Sequence, residues 1–139
     1  MAAPAGHRTV PHTADLRVEA WAPTREACIA QAVLGAVEAF ADTAYSGPTS
    51  PRVCRLDAET DEDLLVAALD EVVYLMDSEQ VIPIAVEVAA VGRGLEVRFA
   101  MAPAGSVPQV GAVPKAVSLH GLRLAPDQRG WSCSVTLDV

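Results

Sequence analysis

The side chains best suited to chemistry sit at opposite ends of the 139-residue chain. The stretch PHTADLRVEA, residues 11–20, sets His12 and Asp15 just ahead of an alternating run. At the other end Asp138 is followed by Val139 and its α-carboxylate. Two carboxylates one residue apart repel near neutral pH unless water or a cation lies between them. If the first alternating strand lies beside the last, Asp15 joins them and three carboxylates converge. Oxygen ligands of high negative charge suit a hard cation such as Ca²⁺ or Mg²⁺. His12 could then orient Asp15 through a hydrogen bond. A penultimate aspartate also fits a plain solvated end, so both readings stand at this point.

Other groups are weighed in the same way. His120, in SLHGL, is flanked by apolar residues, and a satisfied core histidine is the preferred reading over direct ligation; Gly121 after it marks a bulge. Lys115 is the single lysine among ten basic residues. It reads either as an edge-strand guard against aggregation or as a contact for an acidic partner or a phosphate. The run DAETDED, from Asp57 to Asp63, carries five carboxylates. A helix start explains it better than a metal cluster, because acidic groups favour the positive end of the helix dipole. His7 carries no signal. Cys28, Cys54 and Cys133 include no CxxC pair, so they read as reduced, buried small hydrophobes. No GxGxxG, P-loop, HExxH or GxSxG pattern occurs, so a nucleotide-binding enzyme or serine hydrolase gains no support.

The elements that must position these groups follow from periodicity. Leu16, Val18 and Ala20 alternate with Arg17, Glu19 and Trp21, the pattern of a half-buried strand. Pro23 and Thr24 end it, with Thr24 as N-cap of an amphipathic helix over 25–41. A short strand is expected over 52–58. Thr60 and Asp63 resemble a capping box opening a second helix over about 62–78, whose wide apolar face, with Leu65, Leu69, Val72 and Met76, demands a sheet beneath it. VIPIAVEVAAV and LEVRFAM form a hairpin around Gly92-Arg93-Gly94. KAVSLHGLRL and WSCSVTLDV form another around APDQRG. Residues 102–114 read as a mobile loop and 1–8 as flexible. The order is β-α-β-α-β-β-β-β. The expected fold is α+β in two layers, a mixed, largely antiparallel sheet of about six strands with two helices on one face, in a single domain over 1–139.

Composition limits the partners. Hydrophobic residues make up 51% and charged ones 20%, which places the chain among globular proteins. The net charge of −8 repels phosphate backbones, and the basic residues are scattered, so strong direct nucleic-acid binding is not expected. No apolar run reaches membrane-spanning length and the N-terminus lacks the apolar core of a secretory signal, so a cytoplasmic protein is expected.

Four stretches together resemble the archease family: HTAD at 12–15, DLLVAALDEVVYLMDSE at 63–79 including Glu71, KAVSLHGL at 115–122, and the ending W…V…LDV at 131–139. The resemblance runs from about residue 9 to residue 139. It implies a non-enzymatic protein cofactor of an RtcB-type RNA ligase, one that joins 3′-phosphate or 2′,3′-cyclic-phosphate ends to 5′-hydroxyl ends in tRNA splicing or RNA repair. The cofactor promotes GTP-dependent guanylylation of the ligase and its multiple turnover. The resemblance also implies a divalent metal, seen in the family as Ca²⁺, with Mg²⁺ or Mn²⁺ as alternatives, held here by Asp15, Asp138 and Val139. Lys115 corresponds to a functionally important lysine; His12, His120 and Glu71 are assigned to positions behind the metal or at the partner contact. Ser118 stands where the family usually has threonine. Two rival readings are a metal-dependent hydrolase using His12, Asp15, His120 and Asp138, and a chaperone-like interaction module.

Overall fold

Alternation and capping act locally as the sequence suggests. The structure, a computed structural model, describes residues 4–11 and 15–139. Strand β2, Asp15–Ala22, buries Leu16, Val18, Ala20 and Ala22 and turns the residues between them outward. Helix α1, Arg25–Glu38, opens on Thr24, whose side-chain oxygen accepts the Ala27 N–H at 3.1 Å. Helix α2, Asp61–Glu79, opens on Thr60 in the same way, accepting the Asp63 N–H at 3.1 Å. Asp61, Glu62 and Asp63 lie in its first turn, as the helix-start reading of the acidic run requires. Arg25 donates to Asp61 at 2.8 Å and so ties the two helix starts together.

The remaining strands are β1 (Gly6–Pro11), β3 (Ser50–Leu56), β4 (Val81–Val91), β5 (Gly94–Pro103), β6 (Ala116–Asp127) and β7 (Gly130–Asp138). The α+β class, the two helices and both hairpins stand. The strand count and sheet plan change. Among the described residues seven strands form two sheets, one ordered β1-β2-β7-β6 and the other β3-β5-β4, and every pairing described is antiparallel.

The added strand is β1, whose first three residues fall in the 1–8 segment expected to be flexible. It pairs with β2 from Gly6 opposite Trp21 to Pro11 opposite Leu16. His7 fastens it to α1, with Nδ1 2.8 Å from the Gln31 side-chain oxygen and Nε2 bonded to Glu38. A Cβ on Gly35 would stand 2.9 Å from Val18 and 3.1 Å from the His7 ring, so this glycine lets α1 press onto β1 and β2.

The helices do not lie on the face of one sheet alone. α1 touches β1, β2 and β7 of the first sheet and β4 of the second; α2 touches β6 of the first and β3, β4 and β5 of the second. Their wide apolar faces explain this. Cys28, Ile29, Ala32, Val33, Ala36 and Val37 of α1 are all buried, a stripe too broad for one contact. One continuous core results, built from aliphatic side chains of both helices and both sheets. Among the described residues no helix is long and apolar enough to cross a membrane.

Residues 102–114 run from the end of β5 and make several backbone contacts. Ala104–Ser106 form a 3₁₀ turn. Val107 and Pro114 are buried, the Val110 N–H donates to the Phe40 carbonyl at 2.6 Å, and Gln109 bridges Ala41. The end of α1 thus supplies the backbone partners that a loop rich in Pro and Gly cannot supply for itself.

Candidate functional site

Asp15 opens β2 and Asp138 closes β7. The antiparallel register sets them directly opposite, with Leu16 opposite Leu137 and Arg17 opposite Thr136 behind them. Leu16 and Leu137 are buried, so strand alternation turns Asp15 and Asp138 to the other, solvent face. Directly opposed residues on antiparallel strands have Cβ atoms about 5 Å apart. Neither carboxylate belongs to an ion pair among the described residues. Asp15, Arg17, Thr136 and Val10 line a shallow depression of about 180 Å³. Val139 follows Asp138 and is half-buried.

The strand pairing therefore brings two of the three expected ligands into register and places the third beside them. It does not assemble a side-chain cluster of the usual metal-binding kind: no three His, Cys, Asp or Glu side chains gather at one point among the described residues. Asp15, Asp138 and His120 accordingly form no such group among the described residues. His12, its fourth member and the expected partner of Asp15, lies outside the described residues, as do Thr13 and Ala14 of the HTAD stretch.

His120 is exposed, which corrects the core-histidine reading. The β6–β7 register breaks between Ser118 and Arg123, and Gly121 takes φ +71°. The bulge expected at Gly121 is present, and it swings His120 and Leu119 outward; the His120 N–H is taken up by the Ser118 hydroxyl at 3.2 Å. Glu71 is half-buried on α2 and faces β3. There burial, with the Glu71 carboxylate adding to it, pushes the Cys54 thiol up to about 11. Cys28 and Cys133 are buried and all three thiols are free. A hydrogen bond with Cys133, then burial, holds the Cys28 thiol protonated.

Lys115 is exposed just before β6, and its N–H donates to the Asp138 carbonyl at 2.8 Å. Its position lines a second cavity, of about 630 Å³, between α2 and the 104–114 segment. That cavity has no counterpart in the sequence reading. Tyr74, on its rim, lies off the buried stripe of α2, and a large aromatic side chain off that stripe is the one signal the sequence offers.

Comparison with known proteins decides the family. The model of the Archease protein family (MTH1598/TM1083) matches residues 7–139. The chain belongs to the archease family. "Probable protein archease" of Mycobacterium tuberculosis (strain ATCC 25618 / H37Rv) is 54% identical over 134 residues, covering 96% of this chain and 75% of that protein. "Protein archease" of Archaeoglobus fulgidus is 29% identical over 141 residues, covering 96% of this chain and 98% of that protein. The archease fold recurs in the solution structure of Methanobacterium thermoautotrophicum protein 1598, with TM-score 0.76 and 20% identity over 96% of this chain and 99% of that one. It recurs again in the crystal structure of "an archease, possible chaperone" from Thermotoga maritima, with TM-score 0.67 and 21% identity over 100% of this chain and 98% of that one.

Proposed function

We propose that this archease activates an RtcB-type RNA ligase, promoting GTP-dependent guanylylation of the ligase and its repeated turnover, and that it docks through the end of the sheet bearing Asp15, Asp138 and Val139. The observation that carries the reading is the register of β2 on β7, which sets Asp15 opposite Asp138 beside the last residue. Two like charges directly opposed on paired strands destabilise each other, and a hard cation relieves that repulsion with the oxygen donors it prefers. The donor set therefore fits Ca²⁺, Mg²⁺ or Mn²⁺, with Asp15, Asp138 and the Val139 carboxylate as holders. When bound, the cation supplies concentrated positive charge at an otherwise acidic end. Asp138 ties Lys115 to this end through its carbonyl, and the ammonium is free to meet a ligase carboxylate or a nucleotide phosphate. The net charge of −8 favours a protein partner over direct contact with RNA.

The test joins a 3′-phosphate RNA to a 5′-hydroxyl RNA with the ligase limiting and GTP and Mn²⁺ present. Product rising well beyond one equivalent per ligase with wild-type protein, and not with Asp138→Ala, supports the reading. Equal stimulation by both keeps the activator role and removes the carboxylate site. No stimulation by either, with a ligase from the same source, removes the activator role.

A further inference from the structure

The cavity beside Lys115 has walls that are already in place. Helix α2 forms one side, and the segment from Ala104 to Lys115 forms the other. The N–H groups of Val110 and Gly111 are held on the Phe40 carbonyl, and the Asp42 N–H donates to the Pro108 carbonyl at 2.9 Å. A groove fixed in this way costs little ordering when something enters it. Its floor is apolar, with Phe40, Met76, Ile82 and Val107.

Large apolar side chains are left in water at its rim. Tyr74 is 60% exposed, Val113 41%, and Val110 on the same segment 63%. Two of the five exposed large hydrophobics among the described residues, Tyr74 and Val113, therefore line this groove, whereas Val53 and Leu119 stand on separate strands. Clustering of that kind marks a contact surface.

The α2 side of the groove carries negative charge. α2 has no basic residue in its last turn, and Asp77 and Gln80 from that end line the groove. The negative end of the helix dipole and the Asp77 carboxylate thus act together on one side. Lys115 lines the groove as well, and its N–H bond to Asp138 joins the groove to the carboxylate end.

We propose that this groove seats a segment of the protein partner in which a large apolar side chain adjoins a lysine or arginine. The apolar group fills the floor, and the cation meets the Asp77 carboxylate. The partner's identity rests on the ligase reading above; the groove itself does not depend on the metal site.

The experiment measures binding of purified RtcB-type ligase to the full chain by biolayer interferometry, using wild type, Tyr74→Ser, Asp77→Lys and Asp138→Ala. Tyr74 and Asp77 are exposed, so both groove variants are expected to melt as wild type does. Each is expected to weaken binding about tenfold, the loss that removal of one well-used contact residue gives. A photo-crosslinker placed at position 74 is expected to label a ligase segment with an apolar residue beside Lys or Arg, and changing that cation to Glu is expected to restore binding to Asp77→Lys. If both groove variants bind as wild type while Asp138→Ala does not, the ligase reading stands and the groove proposal is overturned. If wild type does not bind the ligase at all, both are overturned. Crosslinking to a second copy of the chain, with a dimer by light scattering that Tyr74→Ser abolishes, makes the groove a self-association surface and overturns the proposal too.

Discussion

Replacing Asp138 by Asn should change stability in opposite directions with and without metal. The register sets Asp138 opposite Asp15, and opposed Cβ atoms lie about 5 Å apart. Two unit charges at about 5 Å in water repel by about 0.8 kcal/mol, and screening at about 0.1 M salt reduces this to about 0.5 kcal/mol. Arg17, in the same depression as Asp15, offsets part of it, so this is an upper figure. A chain of 139 residues unfolds with an entropy of about 0.3 kcal/mol/K. Metal-free Asp138→Asn should therefore melt up to about 2 °C higher than wild type. On the proposed metal site, Ca²⁺ at about a hundred times its dissociation constant should stabilise wild type by about 2.7 kcal/mol, or about 9 °C. The variant, with one carboxylate fewer, should keep little of that gain. Differential scanning calorimetry in EDTA and in a Ca²⁺ series reads both arms. A variant that melts lower in EDTA, or keeps the full calcium shift, would refute the reasoning.

Two further outcomes test the fold, one beside the carboxylate end and one at the opposite end of β7. Leu137, 1% exposed, packs into the core beside Ala36, Val37, Leu69 and Val72. Leu137→Ala removes three carbons at about 0.8 kcal/mol each and leaves a cavity, for a loss of about 3 kcal/mol; urea unfolding with an unchanged slope measures it, and a loss below about 1 kcal/mol would mean the site collapses around the gap. At the β6–β7 turn, Asp127 accepts the Arg129 N–H at 2.8 Å. That bond, with Ser132 second, holds its carboxyl below the ordinary value of 3.8. A depressed carboxylate stabilises above its unfolded value, so the turn's stabilisation is lost as pH falls below 3.8 and through the lower folded value. Arg129 amide protection, followed by NMR exchange, should fall in that window, and constant protection down to pH 2.5 would contradict the assignment.

What was legible in the sequence was local. Thr24 and Thr60 announced the helix starts because a cap is satisfied within three residues. Alternation announced the inner face of β2, and Gly92 with Gly94 announced the β4–β5 turn. The carboxylate pair was foreseen as conditional on strand pairing, because Asp15 and Asp138 are separated by nearly the whole chain. The exposed His120 was misread, since SLHGL looks like core until the bulge at Gly121 turns it outward.

By itself the sequence determined the α+β class, both helices, both hairpins and the family to which the chain belongs. The tertiary structure decided the rest. Strand β1, GHRTVP, has almost no apolar signal of its own; pairing with β2 and the bonds of His7 to Gln31 and Glu38 supply its order. The split into two sheets depends on how far the apolar stripes of α1 and α2 reach around each helix, which periodicity alone leaves open. The groove at Lys115 exists because the end of α1 offers carbonyls and a bridge to the 104–114 segment. Short-range rules act within a few residues, whereas register, sheet partition and groove walls follow from contacts between segments far apart in the chain, and those are set only when the whole core packs.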